Sequence, residues 1–169
     1  YNLAKIEDAR EAFTRMFQLL EIALSINKSY ISAWRLGGQV LVDKGSPDEA
    51  IAWLQRALSV SGLEQSSELH FLLGCALHHA DKLEDALHEY FIVAAAEPDN
   101  YQVKSNIGAA FQLLGKAPEA IAYYQAALPH LPHDCGIRNN YGALLGTMGR
   151  KEEEIEWLRA ALEICPDME

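Results

Sequence analysis

The chain has 169 residues, of which 50% are hydrophobic, 22% charged and 9% aromatic, a size and apolar content that suit one domain or one compact repeat array and exclude a disordered chain. Its 24 acidic residues against 14 basic ones give a net charge of −10, which disfavours nucleic-acid binding, since the tightest basic pair, Arg150-Lys151, runs straight into Glu152, Glu153 and Glu154. No apolar run approaches the roughly 20 residues of a membrane span, and the widely spaced Cys75, Cys135 and Cys165 read as unpaired thiols of a reducing compartment, which makes a cytoplasmic location the expectation.

Residues 1–30 come first. Ala23-Leu24-Ser25-Ile26 echoes Ala57-Leu58-Ser59-Val60, which predicts a helix resembling those further on. The stretch before it has no glycine and no breaker, so this segment reads as a degenerate repeat or as a single long helix. The start at Tyr1 rather than Met is the mark expected of an excised fragment.

From Ile31 onward a period governs the chain. Gly38, Gly74, Gly108 and Gly142 recur at spacings of 36, 34 and 34 residues. Twelve residues after each glycine stand Ala50, Ala86, Ala120 and then Glu154; sixteen after stand Leu54, Tyr90, Tyr124 and Leu158. The period divides the chain into 31–66, 67–100, 101–134 and 135–168. Each unit predicts two helices. The first surrounds its glycine and stops at Gly45, Asp81, Gly115 or Gly149. The second opens on start signals: Ser46-Pro47-Asp48-Glu49 reads as an N-cap, a first-turn proline and a capping-box glutamate, and Asp81 with Glu84 repeats that logic. Pro98, Pro132 and Pro166 close the later second helices, and Pro129 is expected to shorten the third one. A glycine on the first helix admits the second at close range, and a lone hairpin cannot bury its apolar face, so stacking supplies the core. Glu154 in the alanine place predicts a looser or terminal hairpin.

These residues resemble the tetratricopeptide repeat. Trp34, Gly38, Gly45, Ala50, Leu54 and Ala57-Leu58 fill its places in the first full repeat, Leu73-Gly74, Ala86, Tyr90 and Pro98 in the second. Ile107-Gly108, Phe111, Gly115, Ala120, Tyr124, Ala127-Leu128 and Pro132 fill them in the third, and Tyr141-Gly142, Gly149, Leu158, Ala161-Leu162 and Pro166 in the fourth. The resemblance covers residues 31–168 and implies an all-α solenoid, a right-handed superhelix of antiparallel helix hairpins whose first helices line a concave groove. Carried over place by place, that groove takes Arg35, Leu36 and Gln39 from the first repeat and Phe71, Leu72, Cys75 and His79 from the second. The third gives Asn106 and Gln112, the fourth Asn139 and Asn140. Asn106 and Asn140 share one place and resemble the asparagine ladder of O-GlcNAc transferases and peroxisomal import receptors. An amide both donates and accepts, so it grips a peptide backbone without reading side chains; the plainer alternative is a solvated asparagine. Leu36, Phe71 and Leu72 form an apolar stretch that either anchors a ligand or receives the N-terminal helix folded over it.

Arg35 is the lone cation among these places, which argues against the two-carboxylate clamp of the chaperone-tail binders of the family. Lys82 stands against Glu68, Asp81, Glu84, Asp85, Glu89, Glu97 and Asp99, so a basic or neutral partner fits better than an acidic one. Candidate chemistry is thin. Cys75 and His79 lie one turn apart, with no second pair to complete a metal site, and His130, His133 and Cys135 suggest no triad. Trp53, Tyr123 and Trp157 share a place on the second helices and form either an outer aromatic stripe or packing between neighbours. The expectation is a non-enzymatic protein-interaction module, without cofactor or metal, that binds a protein or peptide in the groove. The alternatives are the non-catalytic array of a larger enzyme such as a glycosyltransferase, or a scaffold that forms homo-oligomers through the uncapped C-terminal end.

Overall fold

The computed structural model describes residues 2–166, and all its regular structure there is helical. In chain order it has α1 (Asn2–Ile26), α2 (Ile31–Asp43), α3 (Pro47–Leu58), α4 (Ser67–His79), α5 (Leu83–Ala96), α6 (Tyr101–Leu113), α7 (Ala117–Ala127), α8 (Cys135–Thr147) and α9 (Lys151–Ile164). A 3-10 turn, Leu128–His130, follows α7. The helices form two compact units, Tyr1–Ala80 and Asp81–Glu169. Of the two readings of residues 1–30, the single long helix is the one observed.

The turns follow from local chemistry. Gly45, Gly115 and Gly149 adopt φ near +70 to +79°, the left-handed region where a Cβ is strained. There the N–H groups of Ser46, Lys116 and Arg150 reach back to Leu41, Phe111 and Leu145 at 2.9–3.0 Å, satisfying carbonyls left open at the helix ends. Asp81 takes the same left-handed conformation at φ 58°, so it ends α4 rather than capping α5, whose N-cap is Lys82. Ser46 occupies the N-cap of α3 without a side-chain bond. Side-chain caps stand instead at the starts of the first helices, where Ser66, Asn100 and Asp134 accept from the N–H groups of Leu69, Val103 and Ile137. Pro129 acts as expected: α7 stops at Ala127 and tightens into the 3-10 turn, because proline has no N–H to continue the ladder.

In the first unit α2 and α3 cross where Gly37 and Gly38 face Trp53 and Leu54. A Cβ on Gly37 would lie 2.5 Å from the indole, and the indole N–H donates to the Trp34 carbonyl at 2.8 Å. α1 lies alongside, with Phe17 edge-on to Trp53 at 5.2 Å and Glu21 holding Arg56 at 2.7 Å. In the second unit Gly108 faces the Tyr124 ring, and Gly142 faces the Trp157 Cβ at 3.1 Å. Ala120, Tyr124, Ala127, Ile137, Tyr141, Leu144 and Leu145 form one buried cluster there. Burying each large side chain removes about 1.5–3 kcal/mol worth of apolar surface from water. α9 contributes least: Ala161 is its one fully buried residue.

The cysteines depart from expectation. Cys135 at the start of α8 and Cys165 just past α9 form a disulfide, with Cα atoms 6.1 Å apart; Cys75 is half-buried in α4 outside that bridge. Thirty residues of sequence separate the two partners, which hid the pairing, and the antiparallel hairpin brings them together. The inference of a reducing compartment loses its footing with them. No described helix is long and apolar enough to cross a membrane.

Two outcomes follow from this packing. Gly108→Ala is expected to destabilise the chain by about 1–3 kcal/mol in urea denaturation, although alanine is the better helix former, because the added Cβ would sit 2.8 Å from a fully buried Tyr124 ring. Reducing the Cys135–Cys165 bridge, which closes a 30-residue separation, is expected to cost the α8–α9 hairpin up to about 3–4 kcal/mol. Hydrogen exchange checks this: residues 135–164 should lose protection before α6 and α7 do.

Candidate functional site

The groove residues expected from the sequence fall on two faces, one in each unit. On the first unit's face, Arg35 Nε pairs with Glu68 Oε1 at 3.2 Å, both side chains about half exposed (52%), so the pair is screened and weak. Gln39 donates to Asp43 at 2.8 Å one turn along the same helix. Leu36 is 46% exposed, Phe71 and Cys75 are half-buried, and His79 is exposed with its ring 6.3 Å from that of His78. Leu72 does not belong to this face. It is 4% exposed and packs in the core, because α4 turns it inward together with Leu69, Leu73 and Ala76. The N-terminal helix rests on Trp53 through Phe17 and leaves Leu36 in the open.

The second unit's face is built around one phenol. Tyr124, 0% exposed, rises from α7 past Gly108 and donates its O–H to Gln112 Oε1 on α6 at 2.8 Å. Its oxygen is also hydrogen-bonded by Asn140 of α8. Burial pushes the Tyr124 phenol far above the ordinary tyrosine range, and the Asn140 bond partly opposes that shift. The hydroxyl therefore holds the Gln112 amide and interacts with that of Asn140, on consecutive first helices. Each amide has a further donor or acceptor left for another group. Asn106, Asn139 and Asn140 are all half-buried, as expected of side chains lying along a helix surface.

Three features were not read from the sequence. The fourth residue of a first helix reaches back to the preceding loop: Trp34 Nε1 donates to Lys28 O at 2.7 Å, and Arg138 Nη1 to Leu131 O at 3.2 Å. His70 Nε2 lies 3.1 Å from Glu64 O. Trp, His and Arg look unrelated, yet each carries an N–H at the same reach, and that shared donor was the signal available. Second, Tyr124, conspicuous as a packing residue, doubles as a hydrogen-bonding hub. Third, the Glu154 carboxylate of α9 lies directly over Gly146 of α8, beside Asn139 and Ala143 on the same helical stripe.

The shared aromatic place on the second helices is packing. Trp53 is buried, Tyr123 stacks with Phe111 at 5.7 Å, and Trp157 meets Tyr141 edge-on at 5.1 Å. His130 stacks flat on Tyr101 at 3.6 Å. Among the described residues no group of three His, Cys, Asp or Glu side chains is placed to hold a metal ion.

A sequence profile described as Tetratricopeptide repeat matches residues 36–92 and 71–134, and a second profile of that description matches 136–168. Among solved structures, the crystal structure of MamA superposes with a TM-score of 0.76 at 18% identity, over 94% of this chain and 91% of that one. YrrB, described as a TPR protein with an unusual peptide-binding site, gives 0.72 at 23% identity over 98% and 84%. MamA residues 41 to the end from Desulfovibrio magneticus RS-1 gives 0.69 at 20% over 84% and 78%. No curated protein matches the chain.

The Tyr124 hub has a measurable pH signature. Its folded pKa lies above the unfolded value of 10.0, so its stabilising contribution is intact below about pH 10 and declines as pH rises beyond it, where only the unfolded chain ionises freely. Tyr124→Phe should cost about 1 kcal/mol at neutral pH and flatten that alkaline decline; denaturation series at pH 7 and above pH 10 check both.

Proposed function

The chain belongs to the tetratricopeptide repeat family, and from that premise we propose that this all-α solenoid is a non-catalytic protein-interaction scaffold that holds a peptide segment of a partner against its first helices. The observation that carries the proposal is the Gln112 amide held by the Tyr124 hydroxyl at 2.8 Å, with Asn140 interacting with the same hydroxyl. Ordering an amide before the ligand arrives removes part of the entropy cost of binding. Asn106 and Asn140, at equivalent places, are the groups proposed to grip the backbone of an extended segment. YrrB, similar in fold, is described as having a peptide-binding site, and that description supports the same kind of ligand here.

On the first unit's face, Leu36 and the half-buried Phe71 are the proposed contacts for an apolar side chain, with Arg35, Gln39, Cys75 and His79 around them. The net charge of −10 favours a basic or neutral partner. A second reading, self-association through α9, rests on Ile155 and Leu162, which are 48% and 46% exposed.

The test is a double substitution. Asn106→Ala with Asn140→Ala should weaken peptides selected from a random library by about tenfold or more, or roughly 1.4 kcal/mol, with circular dichroism unchanged. Tyr124→Phe in parallel separates loss of contact from loss of orientation. Equal affinity of wild type and double variant would remove the amides from the binding face, and sedimentation of the same samples over a wide concentration range reads out self-association.

A further inference from the structure

Glu154 is where α9 departs from its counterparts. Ala50, Ala86 and Ala120 hold the equivalent place on α3, α5 and α7, and each is 0% exposed. A carboxylate in that seam needs room and a counter-charge. The room comes from Gly146, where any Cβ would run into the Glu154 carboxylate; the equivalent places on the earlier first helices hold Val42, His78 and Gln112. The two departures thus depend on each other. The counter-charge is slight: Lys151 Nζ stands 3.1 Å from Glu154 Oε2, but Lys151 is 68% exposed while Glu154 keeps only 22% of its surface open. Glycine inside a helix and a carboxylate at a helix crossing both weaken a hairpin, and α9 has Ala161 as its one fully buried residue to offset them.

The position of the carboxylate matters. Asn139, Ala143 and Gly146 form one stripe of α8 at i, i+4 and i+7, a spacing that places side chains on a single face. Asn139 and Ala143 are half-buried, as is Gly146. The other expected groove residues of α6 and α8, Asn106, Gln112 and Asn140, are uncharged. Glu154 lays a formal charge against a face that otherwise offers amides and small side chains.

We infer that Glu154 is a specificity-determining residue of this face, accepting the ammonium or guanidinium of a Lys or Arg side chain from a peptide that runs along α8. Gly146 is the notch through which the two charges meet, and Lys151 swings out to solvent when the ligand cation arrives. The pair is partly shielded from water, so its charge-assisted hydrogen bonds are stronger than those of an exposed ion pair. The inference rests on the peptide-binding reading above and adds the class of side chain that the fourth repeat selects.

The experiment uses the whole chain and a random library of short synthetic peptides. Wild type should enrich peptides bearing Lys or Arg. The best of them, remade with norleucine in place of the cation, measures the neutral baseline. Glu154→Gln, which keeps the volume beside Gly146, should weaken the basic peptide by about tenfold or more and leave the norleucine peptide unchanged. Lys151→Met, a solvent-exposed change that removes the competing ammonium, should strengthen the basic peptide and keeps the test open should the Gln variant fail to fold. Selected peptides without basic enrichment, or equal loss on both peptides in Glu154→Gln, overturn the role of Glu154 alone. A library from which wild type captures nothing overturns peptide binding itself, and this inference with it.

Discussion

Each hairpin whose crossing lies within one unit is organised by a side chain or backbone of the second helix lying in the notch that a glycine leaves on the first. Leu54 enters at Gly38, Tyr124 at Gly108, and the backbone of α9 comes up to Gly142. Backbones brought that close leave no room for sliding, since interiors pack at crystal-like density and a single methyl is felt. The placement of the polar groups follows from it. Tyr124 is long enough to cross beneath α6 and still present its hydroxyl to Gln112 and Asn140. A leucine in its place, as at Leu54 or Leu158, would fill the notch without organising the amides.

The same scaffold therefore carries different chemistry in its two units. The first offers an exposed leucine, a half-buried phenylalanine and a screened ion pair between Arg35 and Glu68. The second offers oriented amides and small side chains, with Glu154 alongside. Repeats share a backbone logic and vary in what they expose, which is how one architecture serves many ligands.

Much of this was legible in the sequence, because spacing, breakers and small residues are local signals. The glycine period, the left-handed turns at Gly45, Gly115 and Gly149, and the shortening at Pro129 are each set by a few neighbouring residues. What escaped depends on tilt and on distant partners. The repeat place of Leu72 points to the open face, but on α4 it shares the buried side with Leu69, Leu73 and Ala76. Asp81 reads both as a stop in phase with the glycines and as a cap; it serves as the stop, through its tolerance of positive φ, and the cap place of α5 falls to Lys82. Cys135 and Cys165 were too far apart in sequence to suggest a pair, and Gly146 explains Glu154 only when α8 and α9 are laid side by side.

The bridge between those cysteines has a mechanical consequence. It ties the first residue of α8 to the residue just after α9, so it spans the open end of the hairpin. A pull on the polypeptide from Pro166 passes through sulfur directly to Cys135 and onward to the loop behind it. The two helices between carry none of that tension. Traction from the C-terminal side therefore loads the α7 junction first, while the last hairpin rides along as a slack, covalently bypassed loop.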